Sequence, residues 1–276
     1  MKKWIIAIIL VVLGVIALYV FNASQSTIEE APPPPVMVEE PSPPPAPEPQ
    51  NVPAEVPAPA PAEEPVVEQP PLPPLAESDP VAIETLSGLV GDEQVRAYVA
   101  HQDVIARLVA TVDAMGGAQV PASIKVIEGP GGEFQATADE NPASVIRNAA
   151  GDPIPQYIVD PVNDRRYDSY VKMLEAVDVS QLAATYREYR PLLEEAFRQL
   201  GYPDGDFDQR LRAVIDELLA TPDVAEPVRL IKPEAFYLYA DKELESLTAG
   251  QKALLRMGPE NAARVKAKLS EIRDAL

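Results

Sequence analysis

The sequence predicts a mainly α chain in three parts: an N-terminal transmembrane helix, a disordered proline-rich linker and a C-terminal multi-helix bundle with at most a small β-hairpin. Three observations carry this reading. Trp4–Phe21 contains no charged residue; Asn22 to Asp79 holds acidic but no basic side chains and most of the 32 prolines; and from Pro80 onward apolar residues recur at helical spacing. The parts are bounded at 1–21, 22–77 and 78–276.

As a helix, the 18 residues Trp4–Phe21 rise about 27 Å, close to the thickness of a bilayer's hydrocarbon core. Trp4 and Tyr19 lie near the two ends, where amphipathic rings favour the headgroup level, and Lys2 and Lys3 hold the N-terminus on the cytoplasmic side. After the span no Lys or Arg occurs before Arg96, so the bulk of the chain is expected to be exported. The run exceeds the usual h-region of a cleaved signal peptide, and Asn22–Ser26 offers a poor cleavage site, so the helix is read as an uncleaved anchor. Without a cysteine, lipid attachment through one is excluded.

The linker carries Pro32–Pro35, Pro41–Pro49, Pro57–Pro65 and Pro70–Pro74. Proline fixes φ and removes a donor, which favours polyproline II over helix or sheet. Roughly 45 such residues extend at most about 140 Å at ~3.1 Å each. Glu39, Glu40, Glu48, Glu55, Glu63, Glu64 and Glu68 repel one another and an anionic membrane surface, so the segment reads as a spacer.

In the exported part, Ser78 before Pro80 opens a helix carrying Val81, Thr85, Leu86 and Leu89, ended by Gly91. Asp92 starts a second with Val95 and Val99; Asp103 to Met115 forms a third, stopped by Gly116 and Gly117. Val120 to Pro161 is rich in proline and glycine and reads as irregular, with a hairpin of Ile124–Ile127 and Glu133–Ala136 around Gly129–Gly132. Asn163 caps a helix with Tyr167, Tyr170, Val171, Leu174 and Val177 on one face. Ser180 caps the next, whose stripe of Leu182, Tyr186, Tyr189, Leu193, Phe197 and Leu200 contains Pro191, expected to kink or divide it. Asp206 and Gln209 have capping-box spacing before Leu211, Val214, Ile215 and Leu218. Val228–Ile231 reads as a short strand, Asp241 and Thr248 open two short helices, and Gly258-Pro259 precedes a last helix with Val265, Leu269, Ile272 and Leu276 inward.

The chemistry of the sequence is largely one of exclusion. No cysteine and a single histidine exclude disulfide scaffolds, iron–sulfur clusters, thiol nucleophiles and multi-histidine metal sites. His101 has no Gly-x-Ser-x-Gly turn to serve, and Gly129–Gly132 lacks the lysine of a phosphate loop. Asp204-Gly205-Asp206-Phe207-Asp208 resembles the start of a calcium loop, but Gln209 and Ile215 stand where that loop needs glycine and a bidentate glutamate. It reads as a turn with an N-cap, and no metal or other cofactor is expected. Glu194 and Glu195 are adjacent on a helix and diverge. The tyrosines from Tyr157 to Tyr202, interleaved with Arg165, Arg166, Arg187 and Arg190, suit either an interface or a core. A net charge of −20 together with export argues against nucleic acid as partner.

One stretch reverses that sign. Gly250–Leu269, GQKALLRMGPENAARVKAKL, brings Lys252, Arg256, Arg264, Lys266 and Lys268 close in sequence, with Arg264 and Lys268 on one helix face. Lys252, Arg256, Asn261, Arg264 and Lys268 are the candidate binding residues, and no catalytic residue is singled out. This stretch, with LPPLAESDP (Leu72–Pro80), RYDSYVKML (Arg166–Leu174) and LGYPDGDFDQRL (Leu200–Leu211), resembles the bacterial domain-of-unknown-function family 3014. The resemblance implies one N-terminal span, a proline-rich linker and a C-terminal domain in Gram-negative bacteria, and brings no activity, cofactor or catalytic residue.

The expected function is therefore a non-catalytic binding or scaffold module of the cell envelope. The span Trp4–Phe21 sits in the inner membrane, and the domain is held in the periplasm against an unknown envelope protein or cell-wall polymer. Two alternatives remain: an envelope glycan-acting enzyme working through Asp204, Asp206 or Asp208, and a cytoplasmic-facing membrane adaptor.

Overall fold

The computed structural model describes residues 72–127, 129–140, 145–233 and 236–276; the expected span Trp4–Phe21 and the linker as far as Pro71 lie outside the described residues. Among the described residues no helix is long and apolar enough to cross a membrane.

Apolar spacing at three and four residues produces the helices. They are α1 (Asp79–Val90), α2 (Asp92–Tyr98), α3 (Val104–Met115), α4 (Asp168–Glu175), α5 (Val179–Gln199), α6 (Phe207–Leu219), α7 (Lys242–Glu245), α8 (Ala249–Arg256) and α9 (Pro259–Ala275). Leu108, Val112, Leu182, Leu193, Leu211, Ile215, Leu254, Val265 and Leu269 are all buried in one core. Helix α3 lies against α5, α6 and α8, and α9 against α4, α5 and α6, so these two helices hold the bundle together. Pro191 does not divide α5, which runs unbroken from Val179 to Gln199.

Several caps differ from the sequence expectation. Ser78 does not cap α1 through its side chain; its hydroxyl donates back to the Leu75 carbonyl at 2.7 Å. The neighbouring Asp79 caps a different helix: its carboxylate accepts from the backbone N–H groups of Asp103 (2.9 Å) and Val104 (2.8 Å) at the start of α3. Asp178, not Ser180, caps α5 by accepting from Gln181 N–H. Asp206, Asp241 and Thr248 cap α6, α7 and α8, and Thr248 forms a reciprocal capping box with Gln251. Leu200, expected on the apolar stripe of α5, is instead exposed in the turn that follows.

The expected hairpin of Ile124–Ile127 and Glu133–Ala136 does not form. A four-stranded antiparallel sheet takes its place: β1 (Ala136–Ala138), β2 (Gln156–Val159), β3 (Arg229–Ile231) and β4 (Leu238–Tyr239), in that spatial order. Thr137 faces Ile158, Tyr157 faces Leu230, and Leu230 faces Tyr239. Ile124 closes a 3-10 turn and Ile127 bridges to Val99. Asn163, expected as an N-cap, is fully buried in a 3-10 turn over Pro161–Tyr167. Its amide accepts from the Gln135 N–H (3.0 Å) and donates to the Gln135 carbonyl (2.7 Å), pinning the approach to β1.

Candidate functional site

Each basic residue of the C-terminal stretch has an intramolecular partner. Lys252, on α8, donates to the Glu245 carboxylate at 3.0 Å and to the Glu245 carbonyl at 3.1 Å. Arg256, at the end of α8, is buried, with its guanidinium 5.1 Å from the Tyr239 ring centroid. Asn261 is buried on α9 and donates to the carbonyls of Asp164 (3.0 Å) and Met257 (3.2 Å), while its side-chain oxygen accepts from Arg264 (3.1 Å). Arg264 grips Glu175 of α4 through two bonds of 2.8 and 2.5 Å. That hydrogen bond lowers the pKa of Glu175 and raises that of Arg264. Lys268 pairs with Glu271 one turn on. Asn261 and Arg264 thus touch each other, Arg256 faces the sheet, and Lys252 and Lys268 serve their own neighbourhoods.

Two aspartates of the glycan alternative, Asp206 and Asp208, are engaged in the α5–α6 corner. Asp206 caps α6, Asp208 accepts from the Tyr186 hydroxyl and pairs with Arg190 at 2.6 Å, and Glu194 accepts from the Phe207 N–H at 3.1 Å. Burial first, then the bond to Asp208, pushes the Tyr186 hydroxyl pKa upward. Glu194, Asp206 and Asp208 bring carboxylate oxygens within 4.8 Å of one another, a convergence that adjacency in sequence did not reveal. Asp204 is exposed in the preceding turn. His101 is exposed as well, at the rim of an open recess of about 540 Å³ that Arg107 and Lys125 also line.

A different cleft, of about 330 Å³, opens where the sheet meets the α8–α9 corner. Its walls come from β2 (Ile158, Val159), the 3-10 turn (Pro161, Asp164), the Thr221–Val228 loop, Tyr239 of β4 and the α8–α9 corner (Arg256, Gly258, Ala262). Gly258 has φ 81°, which lets the chain turn sharply into Pro259 at the first position of α9. A Cβ at that position would overlap the Asp164 carboxylate, so only glycine lets turn and helix approach this closely. Asp164 lies partly buried in the cleft, and burial, then the charges of Glu226, Asp168 and Glu260, push its pKa up to about 6. Across the cleft Lys266 donates to the Thr221 carbonyl (2.6 Å) and to Asp223 (3.0 Å).

The family comparison covers this geometry. A family model described as Protein of unknown function (DUF3014) matches residues 104–273. The chain belongs to the DUF3014 family. The match runs from the start of α3 almost to the end of α9, so the whole cleft of this DUF3014 member lies inside it. No curated protein and no solved structure matches the chain. Asp164 and Glu226 were invisible to sequence reasoning because they lie far apart in the chain and carry no motif. The one local sign was Gly258-Pro259, which the sequence marked only as a helix boundary.

Proposed function

We propose that this DUF3014 chain is a non-catalytic binding module of the bacterial envelope, working through the cleft between the sheet and the α8–α9 corner. Trp4–Phe21 anchors it in the inner membrane with the N-terminus cytoplasmic, and the proline-rich linker sets the domain off from the bilayer in the periplasm. The observation that carries the reading is the cleft itself: a concave, largely apolar site holding a partly buried carboxyl of raised pKa. The Gly250–Leu269 stretch enters as scaffold as much as surface, since Arg256 lines the cleft and Asn261 ties α9 to the Asp164 turn.

The test is retention of solubilised envelope proteins and of purified wall polymer by the full-length chain. The comparison is with Ala263→Trp, which fills the cleft from an exposed wall position, and with the Arg264→Glu, Lys268→Glu double variant. Retention of a protein that drops at least tenfold with Ala263→Trp supports the reading. Loss with the double variant alone moves the site to α9, and retention indifferent to both rejects the cleft. Polymer cleavage that disappears with Asp164→Asn replaces the binding reading with the glycan-acting one.

A further inference from the structure

The charges of the cleft are not balanced. Among the described residues the Asp164 carboxylate forms no hydrogen bond or ion pair, and the same holds for Glu226 on the facing loop. After burial, the charge of Glu226 is the largest influence that makes ionisation of Asp164 costlier. The two cationic side chains in the lining are already engaged: Lys266 serves Thr221 and Asp223, and Arg256 lies over Tyr239. The unmet charge is therefore negative.

Asp164 is partly buried and Glu226 is exposed, and much of the rest of the lining is apolar. Ile158, Val159, Val228, Leu255 and Ala262 form the walls, and the exposed prolines Pro161, Pro222, Pro227 and Pro259 form the rim. At about 330 Å³ the volume suits a side chain and its immediate neighbours better than a large cofactor. An apolar cleft with one partly buried and one exposed carboxylate in its lining complements a cation on an aliphatic stem. Lysine has that shape: four methylenes that gain from burial and a compact ammonium whose three donors serve two carboxylates, whereas a planar guanidinium prefers one carboxylate held bidentately.

We infer that the cleft takes the lysine side chain of a partner polypeptide, with its ammonium between Asp164 and Glu226 and its stem along the apolar wall. The inference rests on the cleft being the binding site of the proposed function, and it names the chemistry of the partner. Gly258 contributes by leaving free the space that the Asp164 carboxylate occupies, which a Cβ would fill.

The experiment is an amide-NMR titration of the full-length, isotope-labelled chain in neutral detergent. It uses three blocked tripeptides with central lysine, norleucine or glutamate between alanines. The lysine peptide is expected to shift the signals of Asp164, Gly258 and Ala262. Its affinity should fall about tenfold or more in Asp164→Asn, as loss of a charge-assisted bond implies. Equal binding of the norleucine peptide overturns the lysine inference and leaves the cleft as an apolar binding site; preference for the glutamate peptide does the same with the opposite sign. If no peptide binds, the inference also falls, and the Ala263→Trp retention result then decides whether the cleft binds anything. The amide spectrum of the Asp164→Asn variant, unchanged away from the cleft, separates a loss of binding from a loss of fold.

Discussion

The helical bundle and the four-stranded sheet are held by different physics. In the bundle, apolar stripes on α3, α5, α6, α8 and α9 meet in one core, and no single polar contact decides the outcome. In the sheet, strands of two to four residues bury only Leu230, Tyr239 and Gln156 below a tenth of their surface. Specific polar ties compensate: Asn163 against Gln135, and Arg229 against Asp139 at 2.9 Å. Ring contacts add to them, with Tyr237 5.2 Å from Tyr157 and 5.7 Å from Phe134. The bundle supplies a rigid wall and the sheet a wall that a few contacts position.

The sharpest way to break the bundle is through one of its largest fully buried side chains. Phe207 is fully buried at the start of α6, its ring 5.6 Å from that of Phe197. Truncation there leaves a large cavity, and Phe207→Ala is expected to cost about 3–5 kcal/mol. Denaturant unfolding measures it; a loss under about 1 kcal/mol would show a core loose enough to collapse around the gap.

A smaller change should separate the two regions. Asn163→Ala removes a fully buried amide and leaves the Gln135 N–H and carbonyl without their partner, at a cost of about 1–3 kcal/mol. Hydrogen exchange is expected to speed up at β1 and β2 while α3 and α9 keep their protection. If all four lose protection together, sheet and bundle open as one cooperative unit and the contrast drawn above fails.

The same contrast explains what could be read from the sequence. Helix α9 was legible because Val265, Leu269 and Ile272 repeat at the helical period within one short window. Of the sheet only β3 was legible, inside the expected strand Val228–Ile231; its pairing was not, because Ala136 pairs with Val159 and Tyr157 with Leu230, across separations that no local pattern encodes. The Gly129–Gly132 run suggested a tight hairpin, yet its carbonyls instead receive Arg166: those of Pro130 and Gly132 accept from its guanidinium at 3.1 and 2.9 Å. Caps failed in a similar way, since Asp79 serves a helix that begins 25 residues later in the chain. At the candidate site, Arg256 was singled out for its charge and does line the cleft, while Asp164 passed unnoticed as a neighbour of the expected cap Asn163.

The smallest expected effect bears on the seam itself. Asp164 has its pKa raised to about 6 from an ordinary value near 3.8, so the folded state holds this proton more tightly than the unfolded chain does. Its contribution to stability is therefore largest below about pH 4, declines as pH rises to about 6, and is flat above that. Asp164→Asn cannot ionise and escapes the decline. It should be more stable than the native chain at pH 7 by about 1 kcal/mol, a figure reduced for the solvent that reaches the group, and no more stable at pH 4. Thermal unfolding of both proteins at the two pH values makes the measurement, and a gap of equal size at each would place its origin in packing. The pH-dependent outcome fits a binding cleft, because a carboxylate that costs the empty protein stability gains most from a cation that pairs with it.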